Sequence, residues 1–93
     1  MPIEVLYFAE LKDITGINRE TFNSEIKNIN ELVELLIVKY HPLKELLRDE
    51  LTQNLRKKIS IVLNENIIQV KDKLSIKLSN GDRIAFLLPA SGG

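Results

Sequence analysis

From Ile3 to Ala9 the chain alternates, with Ile3, Val5 and Tyr7 on one face of an extended segment and Glu4, Leu6 and Phe8 on the other. A charged Glu4 belongs in water, so the second face is the outer one, and Leu6 and Phe8 are expected as exposed apolar side chains. Glu10 to Thr15 reads as a helical turn stopped by Gly16. Arg19 to Ile26 reads as a shorter strand, antiparallel to the first. Either asparagine of Asn28-Ile29-Asn30 can cap a helix, and Asn28 with Glu31 has capping-box spacing. Leu32, Leu35, Leu36 and Tyr40 then recur at helical spacing, with Val33 and Ile37 widening the stripe. Pro42 disfavours helical geometry at His41, which ends this helix near Tyr40, and Pro42 itself suits the first position of another.

In that second helix Leu43, Leu46, Leu47 and Leu51 are expected on the buried side, with Lys44, Glu45, Arg48, Asp49 and Glu50 in water. Thr52 to Lys58 reads as helix end and exposed loop. Ile59 to Leu63 alternates again, with Ile59, Ile61 and Leu63 inward. Asn64-Glu65-Asn66 is a turn, Ile67 to Val70 a short extended piece, and Leu74, Ile76 and Leu78 a small strand or extended loop. Asn80-Gly81-Asp82 is the clearest turn, feeding a last strand in which Ile84, Phe86 and Leu88 face the core while Arg83, Ala85 and Leu87 face out.

Composition narrows the field. Ninety-three residues make one domain able to build a core without staples. Thirteen basic and thirteen acidic side chains cancel, so no cationic excess points to nucleic acid or to an anionic membrane. Arg56-Lys57-Lys58 is expected as a solvated rim, offset by acids just upstream. Without cysteine there is neither a disulfide framework nor a thiol nucleophile, and the single His41 cannot build a metal site alone. With no evident signal peptide and no apolar run near the ~20 residues of a membrane span, the cytoplasm is the expected compartment.

The order strand, strand, helix, helix, strand, short strand, strand matches, by analogy with known topologies, an α+β domain of β-grasp (ubiquitin-like) type. That is a mixed sheet packed against one main helix plus a second shorter helix, with the first and last strands side by side at the centre. The domain is expected over residues 1–88. Residues 89–93, Pro89-Ala90-Ser91-Gly92-Gly93, form a small-residue tail that can extend about 17 Å at ~3.4 Å per residue. A terminal diglycine offers a slim carboxylate, since glycine lets backbone approach a partner more closely than any other residue.

The stretches Val5-Leu6-Tyr7-Phe8-Ala9-Glu10, Leu63-Asn64, Asn80 to Phe86 and Pro89 to Gly93 resemble the MoaD/ThiS family of ubiquitin-like sulfur carriers. The likeness is greatest to the MoaD group, small subunits of molybdopterin synthase. It spans nearly the whole chain and departs at two places. Leu88 stands where the family often has the first of two prolines, and the polar stretch Asp49 to Lys58 is longer than in compact members. The resemblance implies that Gly93, preceded by Gly92, is the reacting residue. A MoeB-like adenylating enzyme of ubiquitin-activating type would use ATP to adenylate the Gly93 carboxylate, and sulfur transfer would give a thiocarboxylate. That tail would then donate sulfur to cyclic pyranopterin monophosphate inside a MoaE-like large subunit, in a 2:2 hetero-oligomer. The chain binds no cofactor of its own in this scheme and carries no catalytic acid, base or nucleophile. Phe8, Ile67 and Leu87 match family positions that contact the large subunit, and Pro89, Ala90 and Ser91 enter with the tail.

The residues themselves agree with an outer patch of Leu6, Phe8, Val62, Ile67, Ala85 and Leu87 beside the tail, unless the Thr52–Lys58 loop or a helix end covers it. Two other carriers share the tail chemistry: a protein modifier joined to lysines through Gly93, and a thiamin-pathway sulfur carrier, whose members are usually shorter with less helix. A plain interaction domain with an accidental diglycine is the non-chemical alternative.

Overall fold

The computed structural model of the chain describes residues 2–89. Five strands, β1 (Ile3–Leu6), β2 (Arg19–Phe22), β3 (Ser60–Leu63), β4 (Asn66–Ile68) and β5 (Arg83–Leu87), form one sheet in the order β2-β1-β5-β3-β4. β1 and β5 run parallel, and every other neighbouring pair is antiparallel. The helices are α1 (Glu10–Thr15), α2 (Ile29–Lys39) and α3 (Leu43–Leu47), and a 3-10 turn covers Lys73–Ser75. The expected β-grasp architecture is therefore present, with α2 as its one long helix.

Local chemistry accounts for these boundaries. Gly16 closes α1 at φ 78°, a left-handed value that costs a residue without Cβ nothing, and its N–H donates to Lys12 O at 2.8 Å. Asn28 caps α2: its Oδ1 accepts from Glu31 N at 2.9 Å, while Glu31 Oε1 reaches back to accept from Lys27 N at 2.9 Å. Such a cap is worth about 1 kcal/mol. The β3–β4 hairpin turns through Asn64 and Glu65, both at positive φ, as a two-residue type I′ connection requires. Asn64 then binds the other turn at that end of the sheet. Its Nδ2 donates to Asp82 Oδ1 and its Oδ1 accepts from Arg83 N, each at 2.9 Å, while Asp82 Oδ2 accepts from Ser79 N at 2.8 Å.

One face of the sheet carries the core. Ile3, Val5 and Tyr7 share a buried cluster with Phe22, Ile61, Ile84 and Phe86 from the other strands and with Ile29, Leu32, Val33 and Leu36 of α2. Fully burying side chains of this size stabilises by roughly 1.5–3 kcal/mol each, which makes this layer the main source of stability. Under one end of it sits a polar knot. Glu20 Oε1 accepts from the hydroxyls of Tyr7 at 2.8 Å and Tyr40 at 2.9 Å, and Lys39 Nζ donates to Glu20 Oε2. The two tyrosine rings meet edge to face at 6.2 Å.

Four expectations need correction around this frame. The second strand ends at Phe22 rather than Ile26, because β1 offers only Ile3 to Leu6 to pair with. Leu74, expected in a small strand or extended loop with Ile76 and Leu78, sits in the 3-10 turn Lys73–Ser75, while Ile76 and Leu78 follow it outside any strand, flanking the isolated bridge of Lys77 to Asn28. The helical register expected to carry Leu51 inward and Arg48 outward stops at Leu47. Arg48 is extended, bridges Leu55, and Asp49 Oδ1 accepts from the N–H groups of Leu51 and Thr52, turning the chain back. Leu51 is therefore 95% exposed at the apex, while Leu55 is buried. Arg48 is buried as well, with its guanidinium donating to Gln53 O at 2.6 Å, Glu34 Oε1 at 2.9 Å and Asn30 Oδ1 at 3.2 Å. A charge that far inside needs such partners, and here it has them. The fourth correction is to the exposure of Ala85, which lies on the outer face as expected but is buried there between its strand neighbours.

The knot makes a pH prediction. Burial opposes ionisation of Glu20, but hydrogen bonds from Lys39, Tyr7 and Tyr40 together outweigh it and hold the carboxyl below its ordinary value of 4.5. Between the two values the unfolded chain binds more protons than the folded one. The contribution of Glu20 is thus full above about pH 4.5 and is lost as pH falls through the folded pKa. Urea titrations below pH 4.5 should show a shallower loss of stability with acid in Glu20→Gln than in the parent chain. Equal slopes would contradict the role given to this carboxylate.

Candidate docking face and tail root

Among the described residues the helices send their buried side chains into the core cluster, and the strand register decides what lies on the second face of the sheet. Leu6 of β1 pairs with Ala85 of β5, Ala85 with Val62 of β3, and Val62 with Ile67 of β4. These four side chains therefore form one lateral row across four strands. Continuing the parallel register two residues past its last pair, Leu6 with Ala85, sets Phe8 level with Leu87, which itself lies opposite Ser60. Ile67 is 59% exposed, Phe8 49% and Leu87 36%. Leu6 and Val62 are half-buried, and together they cover the small Ala85 between them. The Thr52–Lys58 loop leaves Phe8, Ile67 and Leu87 open to solvent.

The row is bounded on the side away from the tail by charge. Glu4 Oε1 accepts from Arg83 Nε at 2.7 Å, and Glu4 Oε2 lies 3.7 Å from Arg19 Nη1. At the other end β5 runs out through Leu87 and a half-buried Leu88 to an exposed Pro89. The remaining sequence-predicted site residues, Ala90, Ser91, Gly92 and Gly93, lie outside the described residues. Of the predicted contact residues within them, Phe8 and Leu87 fall level at the tail root by that register, and Ile67 stands in the adjoining row, two strands from β5. Val70, 48% exposed beyond β4, is a further exposed apolar residue that was not singled out from the sequence. Its place at the end of the extended Ile67–Val70 piece was the available signal.

Phe8 is aimed by an unusual backbone. Ala9 sits at φ 50°, ψ −124°, a region glycine favours, and Leu11 N donates to Phe8 O at 3.1 Å across the turn. Inward Tyr7, fixed by the Glu20 knot, and strained Ala9 therefore bracket outward Phe8. Strain of this kind costs on the order of 1–3 kcal/mol and marks positions where geometry is held by the surroundings. Chemically, this surface can bind an apolar partner face with its rim charges setting orientation.

A five-stranded mixed sheet with its first and last strands parallel at the centre, backed by one long helix, defines a ubiquitin-like β-grasp domain. The solved structure of small archaeal modifier protein 1 from Methanosarcina acetivorans superposes on it with a TM-score of 0.82 at 27% identity, over 99% of this chain and 96% of that one. Within that class the chain belongs to the ThiS family, whose model matches residues 5–93. The molybdopterin synthase sulfur carrier subunit of Chlamydomonas reinhardtii is 30% identical over 93 residues, covering 100% of both chains. The human protein of the same name is 33% identical over 93 residues, covering 98% of this chain and 93% of its own length.

Replacing Ala9 by glycine should raise stability by about 1 kcal/mol, the relieved strain exceeding the added chain entropy of glycine. A urea midpoint that falls instead would show that Ala9 is unstrained.

Proposed function

We propose that this chain is the sulfur carrier and small subunit of a molybdopterin synthase, acting in molybdenum cofactor biosynthesis in the cytoplasm. The observation that carries the reading is spatial. Exposed Leu87, and exposed Phe8 set level with it by continuing the parallel register, lie at the end of the sheet where β5 gives way to Pro89, so one partner surface can hold the domain and receive the tail at once. End-to-end similarity to two proteins named molybdopterin synthase sulfur carrier subunit supports it.

The chemistry stems from the carboxylate. A carboxylate is a poor electrophile, so an adenylating enzyme joins the Gly93 oxygen to the α-phosphate of ATP and releases pyrophosphate. A sulfur nucleophile then displaces AMP, leaving a thiocarboxylate on Gly93. Gly92 and Gly93 carry no side chains to obstruct a narrow channel, and Pro89, Ala90 and Ser91 supply the reach. Inside the large subunit the thiocarboxylate donates its sulfur to cyclic pyranopterin monophosphate. In this reading the carrier is a co-substrate, and acid–base chemistry belongs to its partners.

The second reading, a protein modifier joined to lysines through Gly93, draws on the match to small archaeal modifier protein 1. Activation is the same in both, and only the acceptor differs.

Adding one residue after Gly93 should abolish sulfur transfer while leaving the urea midpoint unchanged, because the added residue displaces the reacting carboxylate. Full activity without proteolytic trimming would refute the reading. On the docking face, Phe8→Ala and Leu87→Asp should each weaken binding to the large synthase subunit at least about tenfold, or roughly 1.4 kcal/mol. As surface changes they should alter stability little. Calorimetry showing unchanged affinity would remove the docking role.

A further inference from the structure

Two loops bring cations to the root of the tail. Ser60 pairs with Leu87 in the antiparallel β3–β5 ladder, so continuing that register sets Lys58 across from Pro89. A cavity of about 230 Å³ beside Pro89 is lined by Arg56, Lys57 and Lys58 together with Leu46, Asp49 and Ile59. A neighbouring one of about 350 Å³ shares Arg56 and Lys57 and adds Lys71 and Lys73. The two are thus lined by five cations and one carboxylate, Asp49, in a chain whose charges otherwise sum to zero. Among the described residues the ion pairs engage Arg19, Lys39, Arg48 and Arg83, and none of these five. Asp49 is itself committed, since the N–H groups of Leu51 and Thr52 hold its carboxyl below the ordinary range, helped by Arg56 and Lys57.

Two of the cations, Arg56 and Lys73, are also held in place. Buried Arg48 clamps Gln53 O, Asp49 N donates to Asn54 O at 2.8 Å, and Arg56 donates through its N–H to Leu47 O and through Nε to Glu45 O, both at 2.8 Å. Lys73 Nζ donates to Ile59 O at 2.6 Å, tying the second loop to the same end of the sheet.

We propose that this basic collar docks on an acidic rim surrounding the mouth of the channel through which the activating enzyme receives the tail. The proposal rests on the carrier reading. The four residues beyond Pro89 can extend about 14 Å at ~3.4 Å per residue, far enough to carry the reacting carboxylate away from the collar, so the collar meets protein at the entrance and not the nucleotide. The cations are spread over two open cavities without a buried donor converging on one point, which suits a surface and not a small anion. The exposed apolar residues nearest the collar in sequence are Leu51 and Val70, and neither offers a ring on which a base could stack. Rim charges of this kind speed encounter and set orientation, and their effect fades with salt.

The test is ATP–pyrophosphate exchange by the adenylating enzyme purified from the same cells, with the carrier as varied substrate. Arg56→Glu/Lys57→Glu/Lys58→Glu should raise the KM for the carrier about tenfold or more at low salt and leave kcat within about twofold. The KM of the parent chain should rise with salt, and that of the variant should not. Lys57→Glu/Lys58→Glu, which spares the structural bonds of Arg56, should show the same direction. An unchanged KM in both variants, with normal exchange by the parent, would overturn the collar alone. No exchange by the parent would take down the carrier reading with it. Polyuridine that binds the parent in a salt-dependent way, is lost with the triple variant and competes with exchange would assign the collar to nucleic acid and overturn the proposal.

Discussion

The parallel pairing of β1 with β5 is the constraint on which the remainder of the structure depends. It joins Glu4 to Arg83, 79 residues apart, and no tight turn can connect parallel neighbours. The chain must therefore cross over, and α2 is the part of that crossover that covers the core face. Because the two central strands point the same way, their C-terminal ends leave the sheet at the same edge. Phe8 and the Ala9 turn emerge next to Leu87 and Pro89. The docking surface and the start of the tail are neighbours as a consequence of strand direction.

The opposite end of the sheet is closed by polar bonds. Asn64 and Asp82 bind each other's turns, Glu4 N donates to Asp82 O at 3.0 Å, and Gly81 N donates to Pro2 O at 3.1 Å. Gly81, at φ 89°, permits the tight return that places Asp82 there. The Glu20 knot fixes the strand and helix ends nearest Phe8. Each of these bonds spans elements distant in sequence, so the two ends of the sheet are held by different chemistry. One is stitched by side-chain amides and carboxylates, and the other presents apolar side chains beside a proline. A rigid domain of this form can serve as a handle, since its orientation on a partner fixes where the tail begins.

Much of this was legible in the residues. Alternation in Ile3–Tyr7 and Ile59–Leu63 reported a two-faced sheet, and the i, i+3, i+4 spacing from Leu32 reported the helix lying on one face. Asn28 with Glu31, Gly16, and Asn80-Gly81 marked boundaries through chemistry that is local and so readable without tertiary context. The errors cluster between Arg48 and Leu55, where the outcome is decided by distant partners. Arg48 is inside because Glu34, Asn30 and Gln53 O converge on it, and no periodicity encodes that. Leu51 fits the helical stripe on paper but falls beyond Leu47, where the helix has already given way to extended Arg48, in the turn that Asp49 holds. Ala85 alternates outward as expected, yet its small side chain is covered by Leu6 and Val62 from adjacent strands. On the docking face, alternation put Phe8 and Leu87 among the outward residues and the family resemblance singled them out together with Ile67, while their grouping required the register.

The central claim is that Gly93 carries sulfur, and the intact mass of the protein isolated from its own cells tests it most directly. The account predicts a population heavier by about 16 Da, one oxygen exchanged for sulfur, with the shift confined to the C-terminal peptide and removed by alkylation and hydrolysis. Unshifted mass in cells actively making the cofactor, together with branched peptides joining Gly93 to lysines of other proteins, would contradict it.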